Sequence, residues 1–209
     1  MGIENRIQFL DGAMGTQLQA KGLPAGASPE LFMMEHGEVI EEVHAAYIDS
    51  GSDIIYTNTF GANAKKLSKS QYTVEDIITR AVQLAKSAAK RKAGVRVALD
   101  IGPIGEMLEP NGYLPFEEAY ELYRQQVVAG EQAGADLVIF ETMSDLYEVK
   151  AAMLAAKEHT QLPVFVTMSF EADYRTFTGC TTASFALCAE GLGADAIGIN
   201  CSLGPDQIL

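Results

Sequence analysis

No stretch of the 209-residue sequence reaches the ~20 apolar residues that a membrane-spanning helix needs, and the segment Met1 to Leu10 has charges among its first residues in place of a signal-peptide run. A cytoplasmic chain without a membrane partner is expected. Basic residues are scarce: 15 Lys and Arg stand against 28 Asp and Glu, a net charge of −13. That balance opposes the phosphate neutralisation on which nucleic-acid binding depends and the attraction that holds basic segments at anionic membranes. A small-molecule ligand is expected instead. Cysteine is also scarce, and Cys180, Cys188 and Cys201 form an odd set without paired spacing, which argues against a disulfide framework and for reduced thiols. Their separations fit no short zinc knuckle. Cys188 falls in a predicted helix as a core residue and Cys180 in a loop, while His36, His44 and His159 lie on or beside helices in surface or packing roles. Neither the dinucleotide fingerprint nor the P-loop spacing occurs.

What the sequence does have is a repeat. Gly51-Ser52-Asp53, Gly134-Ala135-Asp136 and Gly193-Ala194-Asp195 each follow a helical stretch and precede an apolar run: Ile54 to Tyr56, Leu137 to Phe140, and Ala196 to Ile199. Glycine suits the left-handed end of a helix, and a continuous apolar run suits a parallel strand buried on both faces. Ile7 to Leu10, Val95 to Leu99 and Val164 to Met168 fit the same role, which gives six strands with room for a helix between each pair. One helix is predicted to open at Ser28-Pro29 and to continue through Val39, Val43 and Tyr47; another starts at the capping-box pattern Thr73 to Asp76. Others follow Pro115, begin at Ser144 or Asp145, and span about Ala183 to Glu190. This alternation means one parallel α/β domain over residues 1–209, either a doubly wound sheet or a (β/α)8 barrel of the TIM type.

A polar residue follows nearly every predicted strand: Asp11, Thr57-Asn58, Asp100, Glu141, Ser169 and Asn200-Cys201. In either architecture, ligands bind at that end. Each residue singly could instead cap the next helix. The small residues of Asp11-Gly12-Ala13-Met14-Gly15-Thr16 could turn successive backbone N–H groups toward a carboxylate or phosphate, although a glycine-rich turn is often only a turn. Glu141 closes a strongly apolar run, where an unpaired carboxylate is costly, so a substrate ammonium or a lysine such as Lys150 should meet it. Cys201 alone reads as a buried small hydrophobe or as a ligand.

Taken together, Leu10 to Thr16, Tyr56-Thr57-Asn58-Thr59-Phe60-Gly61, Asp100 to Gly105, Phe140-Glu141-Thr142 and Gly198 to Pro205 resemble the homocysteine S-methyltransferase family in order and spacing along essentially the whole chain. Within it the chain is most similar to the N-terminal homocysteine-binding module of cobalamin-dependent methionine synthases, and less to the betaine- or S-methylmethionine-dependent enzymes. The resemblance implies a (β/α)8 barrel with zinc held by three cysteines, of which Cys201 matches the first. It also implies that Asp11, Gly12, Ala13, Glu141 and Asn200 surround the homocysteine. The methyl donor implied is methylcobalamin on another module, recharged from a folate-binding module. The pair of cysteines that completes the family's zinc site is absent, and the sequence reaches Leu209 as the helix after the sixth strand begins. A C-terminally incomplete barrel is therefore expected, with open strand edges that invite self-association. Two other readings stay open: a catalytically silent scaffold, and another (β/α) enzyme using Asp11, Glu141 and Cys201 as acid, base or nucleophile.

Overall fold

A computed structural model describes residues 6–208. The first five residues of the amino-terminal segment weighed for a signal peptide lie outside that range, as does Leu209. Five strands, β1 (Ile54–Tyr56), β2 (Arg96–Ile101), β3 (Leu137–Met143), β4 (Val164–Met168) and β5 (Ala196–Ile199), pair in parallel in sequential order. The helices between them are α4 (Val74–Ala89), α5 (Phe116–Ala133), α6 (Leu146–His159) and α7 (Thr182–Gly191); α1 (Met14–Ala20), α2 (Pro29–Glu35) and α3 (Gly37–Asp49) precede β1, and α8 (Pro205–Ile208) follows β5. Among the described residues no helix is long and apolar enough to cross a membrane.

Strand order decides between the two architectures left open by periodicity. A doubly wound sheet reverses direction at a switch point and carries helices on both faces, whereas here the order never reverses. The alternate residues Leu99, Ile101, Val138, Phe140, Val164, Val166 and Met168 join the large core formed with the helices. The opposite face, Ile54, Ala98, Leu137 and Ile139 with Tyr56 and Phe165 against them, forms its own small cluster. This is the arrangement of a barrel wall, with helices outside and a lumen inside.

Two expectations need correction. The predicted strand Ile7 to Leu10 is reduced to a single bridge between Leu10 and Ile54. Asp53 N–H and Ile54 N–H donate to Phe9 O, but Phe9 N–H is taken by the Asp53 carboxylate at 2.9 Å and so is lost to the ladder. The helix predicted to run on from Ser28 is broken at His36, where φ −127° and ψ 49° lie outside the helical region. At Gly37, where α3 begins, a Cβ would come within 2.5 Å of the Arg80 guanidinium of α4, so a larger residue there would have to displace that side chain. The Thr73–Asp76 capping box forms as predicted.

The Gly-X-Asp repeat has a structural meaning beyond the turn. Gly51, Gly134 and Gly193 all have positive φ. Each following Asp reaches sideways to the amide that opens the preceding strand segment: Asp53 accepts from Phe9 N–H, Asp136 from Val97 N–H at 2.7 Å and Asp195 from Val164 N–H at 2.8 Å. A cation secures each carboxylate, namely Arg6, Lys86 and Lys157. These clasps fix the amino-terminal end of the sheet and leave the carboxyl end for chemistry.

Candidate functional site

A trough of about 1590 Å³ runs along the inner face of the sheet. Its two ends differ in charge. The Lys and Arg that line it, Arg6, Lys86 and Arg96, belong to the amino-terminal end, where they bond Asp53, Asp136 and Gln8. The carboxyl end gathers Thr57, Asn58, Asp100, Glu141, Asn200 and Cys201 from the ends of β1, β2, β3 and β5, with Asp11 after the Leu10 bridge and Gly12 and Ala13 beside them. Of the strand-end residues predicted for the site, Ser169 alone does not line it. Its hydroxyl donates to Asn200 O at 3.0 Å and so supports the β5 end from behind.

Asn200 is the junction of this end. Its Oδ1 accepts from Thr142 N–H at 3.1 Å and from the Thr167 hydroxyl at 3.0 Å, and its Nδ2 donates to Thr142 Oγ1 at 3.0 Å and to Glu141 Oε2 at 3.2 Å. One side chain therefore ties β3, β4 and β5 together and aims the Glu141 carboxylate. Lys150, the alternative partner for Glu141, is not the group that meets it. Thr142 and Cys201 both have positive φ, 59° and 58°. That conformation is costly for a β-branched residue and is held only where surrounding bonds over-determine it. Cys201 is exposed at the mouth.

Asp11 does not cap α1, whose N-cap is Ala13 without a side-chain bond. Its Oδ2 accepts from Tyr56 N–H at 2.9 Å while Oδ1 is buried without a partner. Burial, reinforced by the field of Glu141, pushes its carboxyl up to about 7. Burial likewise raises Glu141, and it raises Asp100 well above the usual carboxylate range, with Glu141 and Asp11 adding to the effect. Three carboxyl groups thus share one end of a trough in which a cationic ligand would be stabilised.

The Asp11–Thr16 loop lacks the left-handed residue that a nest of successive N–H groups uses, since no residue from 11 to 16 has positive φ. Gly12 is required for another reason, since a Cβ there would lie 2.9 Å from the Tyr47 hydroxyl, which donates to Ala13 O. Tyr47 was thus missed as the support of this loop, and only the contact across 34 positions reveals it. Tyr56 was missed as well. Its phenol is pushed up first by burial and then by Glu141, Asp100, Asp11 and Cys201, which places it among all four. The period-two alternation that puts Tyr56 on the face of Ile54 was the available signal.

Cys180 and Cys188 do not line the trough, and Cys188 is only partly buried rather than core. Among the described residues no three His, Cys, Asp or Glu side chains come together to hold a metal ion. Cys201 as a zinc ligand is therefore one donor without a full set of companions among the described residues.

The fold agrees with that of known proteins. The solved structure of the homocysteine methyltransferase MmuM from Escherichia coli in its apo form superposes with a TM-score of 0.78 at 24% identity, covering 98% of this chain and 75% of that one. Its metallated form gives 0.71 at 19% identity. Methionine synthase of Mycobacterium leprae is 31% identical over 225 residues, covering 99% of this chain. That of Mycobacterium tuberculosis is 29% identical. This chain spans 18% and 19% of the length of those two relatives. The family model for homocysteine S-methyltransferase matches residues 8–209, and on that match the chain belongs to the homocysteine S-methyltransferase family.

Proposed function

We propose that the chain is the homocysteine-binding barrel module of a cytoplasmic methyltransferase that converts the homocysteine thiol to the thioether of methionine. The observation that carries this reading is the acidic, cation-poor carboxyl end of the trough beside Cys201. The amino-acid ammonium sits against Glu141 and Asp11, its carboxylate faces the Gly12–Ala13 backbone, and its sulfur points toward Cys201. Asn200 orients Glu141 for that contact. The trough walls, Ile139 and Phe165 among them, keep water from the substrate's methylene carbons.

The family implies zinc at the sulfur. The described residues of this chain do not fit a complete zinc site, because no three His, Cys, Asp or Glu side chains gather around Cys201 to hold the metal. The methyl donor in this reading is methylcobalamin, presented by another module and recharged from methyltetrahydrofolate. The length of the methionine synthases, of which this chain spans less than a fifth, supports separate modules for those tasks.

Equilibrium dialysis with radiolabelled L-homocysteine tests the reading. It predicts one saturable site per chain that is lost in Glu141→Gln, and no saturable binding would overturn it.

A further inference from the structure

The carboxyl end of the trough holds one more acidic group than the contact with Asp11 and Glu141 uses. Asp100 stands opposite Ile139 in the pairing of β2 with β3, so Glu141, two residues farther along β3 on the same face, lies nearer the mouth and Asp100 lies below it. Asp100 is 7% exposed, lines the trough, and has a buried Oδ1 with no partner. It is also rigidly placed. Its N–H donates to Thr57 Oγ1 at 3.0 Å, its carbonyl accepts from the Thr59 hydroxyl at 2.6 Å, and the two threonine hydroxyls bond each other.

A clamped backbone with an orphaned carboxyl oxygen is a costly arrangement for a folded chain to keep, because a buried acceptor without a donor loses its hydration for nothing. No Lys or Arg lines this end, and no three donors gather here for a metal among the described residues. A donor that arrives with the ligand satisfies this oxygen. We propose that Asp100 is a specificity-determining residue that accepts a hydrogen bond from the ammonium group of the bound amino acid, so that the site selects a free amino acid over analogues without the amine. This deepens the homocysteine reading and rests on it. With Asp100 below, Asp11 to one side and Glu141 above, each hydrogen of a primary ammonium has an acceptor, and an acylated nitrogen would leave two of the three unmet.

Calorimetric titration of the full chain near neutral pH tests this with two ligands, L-homocysteine and 4-mercaptobutanoate, which keeps the carboxylate and thiol and lacks the amine. Asp100→Ala is expected to weaken homocysteine binding at least about tenfold, the size of one hydrogen bond to a charged group. The preference for homocysteine over 4-mercaptobutanoate should fall by the same factor. Asp100→Asn, which keeps an acceptor without the charge, should lie between. Thermal melts of both variants at or above the wild-type midpoint would show that the fold is intact, since each removes a buried carboxyl. Equal losses for the two ligands, or unchanged homocysteine affinity in Asp100→Ala, would overturn the assignment while leaving the homocysteine reading in place. Failure of the wild-type chain to bind homocysteine would overturn both.

Discussion

Replacing Asn200 with leucine, similar in volume and unable to hydrogen-bond, is expected to lower stability by about 2–4 kcal/mol and to abolish homocysteine binding. The side chain makes four bonds that span β3, β4 and β5. Removing it leaves the Thr142 amide only its longer contact to Thr167 Oγ1 at 3.3 Å and takes the Thr167 hydroxyl's acceptor away; both groups are half-buried, and losses of this kind cost about 1–3 kcal/mol each. It also removes what keeps Thr142 in its positive-φ conformation, so the peptide that carries Glu141 is free to relax and the carboxylate loses its aim. Urea denaturation reads the first effect and dialysis the second. Asn200→Asp separates them: it keeps the acceptors for Thr142 N–H and Thr167 and should recover much of the stability, but it faces Glu141 with like charge and should not recover binding. Full binding in the leucine variant would show that Glu141 needs no positioning.

The second large effect concerns pH. The Asp11 carboxyl has a folded value of about 7, raised from an ordinary 3.8 by burial. A group raised on folding contributes stability that is fully present below its unfolded value and lost as pH climbs through the folded one, so Asp11 destabilises the chain progressively from about pH 4 to pH 7. The loss is at most about 4 kcal/mol, three units at about 1.4 kcal/mol each. Asp11→Asn keeps an acceptor for Tyr56 N–H and has no charge to bury. It is therefore expected to melt higher than wild type by roughly 10 °C at pH 8, and by little at pH 4. It should bind homocysteine weakly, a direct exchange of stability for function. His44 works in the opposite sense. Fully buried with both ring nitrogens unpartnered, it is held down to about 4, so its contribution is present above about 6.5 and lost as pH falls toward 4. Comparing Asp11→Asn with wild type at each pH cancels the histidine, and a melting difference independent of pH would contradict the assignment to Asp11.

Much of the wall was legible because its signals are local. Gly51, Gly134 and Gly193 mark helix ends by their backbone freedom, and the apolar runs after them are strands whatever else the chain does. The strand ends named the acidic residues and Asn200-Cys201 for the same reason. What failed to show was non-local. Asp53 capturing the Phe9 amide, which costs the first strand its ladder, depends on a contact across 44 positions. The small side of Gly12 makes room for Tyr47, 35 positions on, and Glu141, for which a substrate ammonium or Lys150 was expected, has Asn200, 59 positions away, as its partner within the chain. Asp100 was one strand-end residue among several until burial and its unpartnered oxygen set it apart.

The central claim is that the acidic carboxyl end of the trough receives the amino group of homocysteine with the sulfur toward Cys201. A crystal structure of the chain grown with L-homocysteine measures this directly. The account predicts the ligand nitrogen within about 3.2 Å of Glu141 and Asp11 carboxylate oxygens and the sulfur on the Cys201 side. A ligand lying in the reverse sense, with its carboxylate against Glu141, or bound away from this end of the sheet, would contradict it.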